Sequence, residues 1–328
     1  MIKQKEINKS KTDVKFEIWS NKLTKIYGKK DKAFEAVKQV DLRVEPGIHG
    51  FLGPNGAGKT TTMNMLVGAI SITSGEAKIR NDNVGSVSAR RLIGFLPQDP
   101  VFYDNMTGEE YLIYMGKLCG LNKVEARKRA QELCAYFDIF KDRTRPIGEY
   151  SGGMKQKIGI ASALIHKPKI LILDEPTANL DPIGRANIID RIKEISKTVS
   201  VFVSSHILSE IEQMCERVTM INKGKIVISD TLKNIKKKFI GNTYKLDTNK
   251  NEEILRSLVK KDFVQKAWLK EDDKAIQIIP KDAEKLQEEI PKLILEHKAT
   301  LYSFHIPEVS LQDIFMTVYD SRGEKERA

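Results

Sequence analysis

Cysteine is scarce in this chain. Cys119, Cys134 and Cys215 are the only three, their number is odd, and no CxxC spacing occurs. That pattern supports neither a disulfide framework nor a zinc site, and it points to a reducing cytoplasm. Long hydrophobic runs are missing too. The most apolar stretch, residues 158–173, is broken by His166, Lys167, Pro168 and Lys169, and no run reaches the roughly 18 residues that would mark a bilayer-spanning helix. The amino terminus, MIKQKEINKSK, has no apolar core of the kind a secretory signal needs. No heptad pattern is sustained, and no internal repeat or low-complexity tract stands out.

What is present is ordinary globular composition. Apolar residues make up 41% and charged residues 30% of the 328 positions, which excludes a disordered or collagen-like chain and allows a sizeable core. At roughly 150 residues per domain the length predicts about two domains. Basic residues outnumber acidic ones by 55 to 44, a net charge of +11, which permits an anionic partner such as nucleic acid or a membrane surface. The excess is partly local. Lys3, Lys5, Lys9, Lys11 and Lys15 lie in an N-terminal arm over residues 1–16, and Lys233, Lys236, Lys237 and Lys238 lie near a later boundary. Such runs are ordinarily solvated surface.

Short strand-like groups occupy residues 16–44, with a turn at Gly28-Lys29-Lys30, and Pro46-Gly47 breaks the chain before a strand over 48–52. That strand runs into Gly53-Pro54-Asn55-Gly56-Ala57-Gly58-Lys59-Thr60-Thr61, and residues 63–70 continue as an apolar helix. Three-to-four spacing predicts helices over 108–119 and 123–137, and a third after Tyr150-Ser151-Gly152-Gly153. A buried strand over 170–173 ends in Asp174-Glu175-Pro176. A helix over 184–195 follows, then a β-branched strand over 198–204 that ends in Ser205-His206. Residues 208–216 read as helix, and 218–228 as two strands around Asn222-Lys223-Gly224. Strands alternating with helices predict a mostly parallel α/β core, interrupted by a helical insertion over about residues 99–165. Beyond residue 238 the pattern is strand 244–247, helix 252–260, a hairpin of 263–269 and 275–279 around Glu271-Asp272-Asp273, helix 282–296, strand 300–305 and helix 310–318. That order fits a small ferredoxin-like α+β domain over 241–322.

Three features carry chemistry. The segment from Gly53 to Thr60 matches G-x-x-x-x-G-K-[ST] between a strand and a helix. Its glycines let backbone N–H groups converge on phosphate oxygens, Lys59 reaches the β- and γ-phosphates, and Thr60 ligates Mg²⁺. ATP or GTP is the expected ligand. Asp174 and Glu175 end a buried strand, where α/β sheets bind ligands; Asp174 would hold the metal and Glu175 would polarise an attacking water. Ser151, Gly152 and Gly153 open a helix and form a second anion nest. With two nests and one set of metal-binding acids, the nests could meet one nucleotide from different subunits.

Together these motifs resemble the nucleotide-binding subunit of ABC transporters, over roughly residues 17–230. GPNGAGKTT matches Walker A, Gln98 in LPQD the Q-loop, YSGGM the family signature and ILILDEP Walker B. Ala178-Asn179-Leu180-Asp181 matches the D-loop, His206 in SSHILSE the switch histidine, and Tyr27 in LTKIYG the aromatic A-loop position. The tail SLQDIFMTVYD resembles the end of a C-terminal extension in the drug- and bacitracin-resistance exporter branch. The resemblance implies a P-loop NTPase fold for residues 17–238: a RecA-like parallel core, an antiparallel β subdomain and the helical insertion. It also implies a head-to-tail dimer, with ATP between Walker A of one subunit and the signature of the other. Tyr27 would stack on adenine, Gln98 would contact Mg²⁺ or its water, and His206 would face the γ-phosphate. Departures are local. Tyr150 and Met154 stand where the signature usually has Leu and Gln, and the D-loop begins Ala178-Asn179 rather than with a serine.

The expected protein is therefore an ATP-hydrolysing subunit on the cytoplasmic face of the membrane. It would drive a separate integral membrane permease, for export, in partnership with a second nucleotide-binding subunit. The alternative is a soluble ABC-type ATPase acting on nucleic acid or ribosomes, for which the net positive charge is the only support.

Overall fold

The computed structural model describes residues 15–29, 33–239, 243–270, 274–306 and 310–316. The N-terminal arm to residue 14, Lys30, the expected turn Glu271-Asp272-Asp273 and the end of the helix expected over 310–318 lie outside the described residues. Two compact units part between Leu232 and Lys233. The boundary read from the sequence, after residue 238, lies a few residues later; the division falls inside a short helix.

The first unit opens with β1 (Ile18–Tyr27), β2 (Phe34–Val40) and β3 (Arg43–Val44), and β4 (Ile48–Leu52) leads into α1 (Lys59–Leu66). β5 (Ser74–Ile79), β6 (Asp82–Asn83), α2 (Val87–Leu92) and β7 (Ile93–Leu96) follow, then the helical block α3 (Gly108–Leu118), α4 (Lys123–Tyr136) and α5 (Gly152–Leu164). β8 (Ile170–Asp174), α6 (Pro182–Ile195), β9 (Ser200–Ser205), α7 (Leu208–Met214), β10 (Arg217–Asn222) and β11 (Lys225–Thr231) complete it, and α8 (Leu232–Phe239) carries the chain onward. α1 stops four residues before the apolar spacing does. Val67 caps it, and Gly68 at φ 73° turns the chain left-handed. α3 and α4 each begin with a capping box, Thr107 with Glu110 and Asn122 with Glu125, which explains their sharp starts.

These strands make two sheets. One, in the order β2-β1-β5-β6 with β3 also on β1, is antiparallel throughout. The other runs β11-β10-β4-β9-β8-β7 and is parallel apart from β11 at its edge. β4 and β8 are buried along their whole length, as expected of parallel strands covered on both faces. The register decides where the chemistry gathers. Leu52, which ends β4, lies opposite Ser205, which ends β9. Asp174, which ends β8, lies opposite Ser204, and Leu96 of β7 lies opposite Leu173. The residues that follow these strands therefore leave the sheet along one carboxyl edge.

The second unit holds β12 (Tyr244–Thr248), α9 (Asn251–Leu258), β13 (Val264–Leu269), β14 (Ile276–Pro280), α10 (Ala283–Glu296) and β15 (Leu301–His305). Its sheet, β13-β14-β12-β15, is antiparallel, the strand order of a ferredoxin-like β-α-β-β-α-β unit. Leu246, Ile276 and Ile278 from the sheet pack with Ile254 and Leu258 of α9 and Leu286, Ile290 and Leu293 of α10.

Candidate active site

A cleft of about 410 Å³ is lined by Tyr27, Phe34, Ala36, Pro54, Asn55, Gly56, Gly58, Lys59, Thr60, Thr61, Gln98 and Glu175. The loop between β4 and α1 and the first turn of α1 supply seven of these twelve residues. Gly58 is the N-cap of α1 at φ 105°, and a Cβ there would stand 2.7 Å from the carbonyl oxygen of Ala36, so the position suits glycine alone. The first intrahelical bond runs from Thr62 N–H to Gly58 C=O. The N–H groups of Lys59, Thr60 and Thr61 are thus left without intrahelical acceptors at the positive end of the helix. Lys59 is buried, yet its Nζ donates to the carbonyls of Gly53 at 2.8 Å and Pro54 at 3.3 Å and lies 3.5 Å from Glu175 Oε1. An ammonium held this way, beside free amide donors, can meet phosphate oxygens.

The acids sit opposite. Ser204 Oγ donates to Asp174 Oδ1 in a short hydrogen bond and accepts from Glu175 N–H at 2.9 Å. Asp174 Oδ2 is buried and has no hydrogen-bond partner. A carboxylate oxygen left so is costly, and oxygens of this kind suit a hard cation such as Mg²⁺. Thr60 and Gln98, exposed on the same cleft, add neutral oxygens, so the residues present fit the metal. Glu175 takes φ 51°, an uncommon conformation for a non-glycine residue, at the point where the chain leaves β8. Its Oε2 meets His206 Nδ1 at 2.7 Å while Oε1 faces Lys59. The lysine that opens α1 and the glutamate and histidine that follow β8 and β9 thus form one chain of polar contacts.

At the other end of the cleft are two aromatics. Tyr27 is 43% exposed and Phe34 63%, and they are direct partners across the β1–β2 pair, so their side chains share a face. Lys25 Nζ, fixed by Ser71 C=O at 2.7 Å, sits 5.1 Å from the centre of the Tyr27 ring. Phe34 and Ser204 escape the sequence reading. An aromatic a few residues past a turn that follows Tyr27 was the available signal for Phe34. Ser204 had none, because its role depends on strand register.

Ser151 caps α5, accepting Met154 N–H at 3.3 Å. Ser151 and Gly152 are exposed, a Cβ on Gly152 or Gly153 would meet open space, and none of the three lines the cleft. Gly152 lines a second groove of about 440 Å³, which shares Gln98 with the cleft. Within one chain the second nest is not brought to the phosphate loop. The Tyr150 departure has a packing reason: the ring is buried and its hydroxyl donates to Asp142 C=O at 2.8 Å.

A glycine loop between strand and helix, an acid pair on a nearby strand and a cleft between them define a P-loop nucleoside triphosphatase. The sequence profile of the ABC transporter family matches residues 37–178. An uncharacterised ABC transporter ATP-binding protein of Bacillus subtilis (strain 168), YxlF, is 36% identical over 87% of this chain and 94% of its own length. The linearmycin resistance ATP-binding protein LnrL of the same strain is 32% identical over 90% of this chain and 96% of its own. The bacitracin transport ATP-binding protein BcrA of Bacillus licheniformis is 40% identical over 66% and 70%. Among solved structures, an ATP-binding subunit of an ABC transporter aligns with a TM-score of 0.61 at 27% identity, over 68% of this chain and 92% of its own. A dimeric, post-hydrolysis ATP-binding cassette, MJ0796 with ADP and Pi, aligns at 0.60 and 25% identity, over 66% and 98%. This chain belongs to the ABC transporter ATP-binding proteins and is an ATPase. Among the described residues no helix is long and apolar enough to cross a membrane.

Proposed function

We propose that this chain is the motor subunit of an exporter. It pairs head to tail with a second nucleotide-binding subunit, identical or paralogous, around two Mg·ATP, and drives a separate integral membrane permease from the cytoplasmic face. The observation that carries this reading is the Lys59–Glu175–His206 chain beside the phosphate loop. Glu175 takes the proton of the attacking water. His206 holds that carboxylate and faces the γ-phosphate, and Lys59 and the loop amides draw the charge that develops there. Mg²⁺, when bound, would neutralise phosphate charge, with Asp174, Thr60 and Gln98 holding it directly or through water. Tyr27 stacks on the base. Ser151, Gly152 and Gly153 lie off their own chain's cleft, which supports their meeting the γ-phosphate held by the partner subunit. Cleavage removes that phosphate and with it the contact that holds the pair. The resistance and transport proteins among its relatives support export.

Glu175→Gln should lower ATP turnover by about a hundredfold or more and accumulate an ATP-bound dimer, read by light scattering on a sizing column. Wild-type turnover in that variant would remove Glu175 from the base role. Strictly monomeric protein under saturating Mg·ATP, alone and with its membrane partner, would end the pairing.

A further inference from the structure

Behind the cleft, α7 carries a buried carboxylate whose role the phosphate chemistry does not explain. Glu210 is 5% exposed, and its Oε2 accepts the hydroxyl of Thr177 at 2.6 Å and that of Ser205 at 3.3 Å. Those hydroxyls belong to different loops. Thr177 lies two residues beyond Glu175, in the loop that leaves β8, and Ser205 ends β9 immediately before His206. Ser205 Oγ also accepts Ile207 N–H at 2.9 Å, so the residues on both sides of His206 are fixed to the same point. One carboxylate oxygen thus ties together the two loops whose side chains Glu175 and His206 meet at 2.7 Å. Packing gives no reason for an acid here. Thr177 and Ser205 are 1% and 2% exposed, and Glu210 Oε1 is buried without a partner. An apolar side chain of similar volume would avoid the desolvation cost of such a group. What the carboxylate offers is an oxygen that accepts two hydroxyls at once.

We propose that Glu210 is a positioning residue for ATP hydrolysis: it clamps the β8 and β9 loops so that His206 stays against Glu175. This rests on the reading that Glu175 and His206 act in hydrolysis. Glu210 does not line the cleft, so its effect belongs in turnover and not in nucleotide affinity. In the full-length chain, Glu210→Ala should lower kcat about tenfold, within the range that small misplacements of catalytic groups produce, and leave KM for ATP within about twofold. Glu210→Gln should stay near the wild-type rate, because an amide oxygen also has two lone pairs for the two hydroxyls.

The decisive measurement is a double-mutant cycle in single-turnover hydrolysis. If Glu210 acts through His206, Glu210→Ala should have little further effect in a His206→Ala background. A general folding role would persist there in full. Thr177→Val, which keeps the volume, should show a smaller loss that vanishes in the same background, and it serves where the alanine variant does not fold. The clamp is overturned by wild-type kcat in Glu210→Ala or, failing that variant, in Thr177→Val. A loss that persists undiminished without His206, or a glutamine variant as slow as the alanine one, overturns it too. Wild-type turnover in His206→Ala alone would instead remove the His206 role itself, a failure distinguishable from that of the clamp.

Discussion

In the second unit, the four-stranded sheet and its helices close over Leu246, Ile276, Ile278, Leu286 and Ile290, and among the described residues Thr248 and Gln277 are the only polar side chains buried there. In the first unit Lys59, Asp174, Glu175, Thr177, Ser204, Ser205 and Glu210 are all buried, at or beside the carboxyl edge of one sheet. Buried charge is costly unless it is paired. A fold that gathers it at one edge has placed there groups that packing alone does not require. Glu17, just before β1, and Lys25, within it, are also buried, beside Arg80 at 3.6 Å and Ser71 C=O at 2.7 Å. His49 is another exception, in mid-strand: burial, with the Arg217 charge, pushes its imidazole down to about 4, and Nε2 meets Thr219 Oγ1 at 2.8 Å. It is therefore a neutral core residue at physiological pH. The contrast teaches that the first unit places most of its costly groups where ligand chemistry needs them, whereas the second devotes its sequence to packing.

The contrast breaks most visibly at Lys59. Lys59→Ala should abolish measurable ATP binding, a loss of about a hundredfold or more, because the ammonium and the loop amides act on the same phosphates. Nucleotide-free stability should stay within about 1 kcal/mol, since the lysine's burial has its own desolvation cost. Equilibrium nucleotide binding and denaturant unfolding read the two separately. A collapse of stability comparable to a core deletion would show that Lys59 is structural and dissolve the distinction between the units. The opposite experiment is Leu286→Ala. That side chain is fully buried in the second unit's core, so the variant should lose about 2–5 kcal/mol of that unit's stability. ATP turnover and KM should stay within about twofold. A folded Leu286→Ala protein with impaired turnover would mean that the second unit controls the site.

The same contrast explains what could be read in the chain beforehand. Gly53 to Thr61 and Asp174-Glu175 are contiguous, and their chemistry is a property of neighbours in sequence. Gln98, Tyr27 and His206 became legible through the order and intervals of motifs around them. Ser204 and Glu210 did not, because what they do depends on partners far away in sequence: Ser204 reaches Asp174 across β8–β9, and Glu210 reaches Thr177 from α7. Residues 74–96 gave no readable pattern. β5 is half polar and half exposed, and β7 has four residues, too few to show a period. The second unit was the easier of the two in outline, since an apolar core imposes clean alternation, as in β12. Its function was the harder, because a packed core carries no chemical signature.

The smallest expected effect tests whether the first unit's exposed aromatics belong to the site or to the surface. Tyr27 has Lys25 Nζ over its ring, and Phe34 stands beside it on the paired strand and lines the same cleft. A base resting on Tyr27 would therefore have Phe34 at its flank. Stacking of a base on an aromatic side chain is worth about 1–3 kcal/mol, and a flanking ring should contribute toward the lower end. Phe34→Ala should thus raise KM for ATP by about threefold to tenfold, with kcat unchanged, and Phe34→Leu should fall between that and wild type. Because stacking reads no hydrogen-bonding edge, GTP should shift by the same factor. An unchanged KM in Phe34→Ala would return Phe34 to the ordinary exposed hydrophobics of the surface. A shift for ATP but not GTP would mean that something on the cleft reads the adenine edge, and the base end would then be a specific pocket and not a platform.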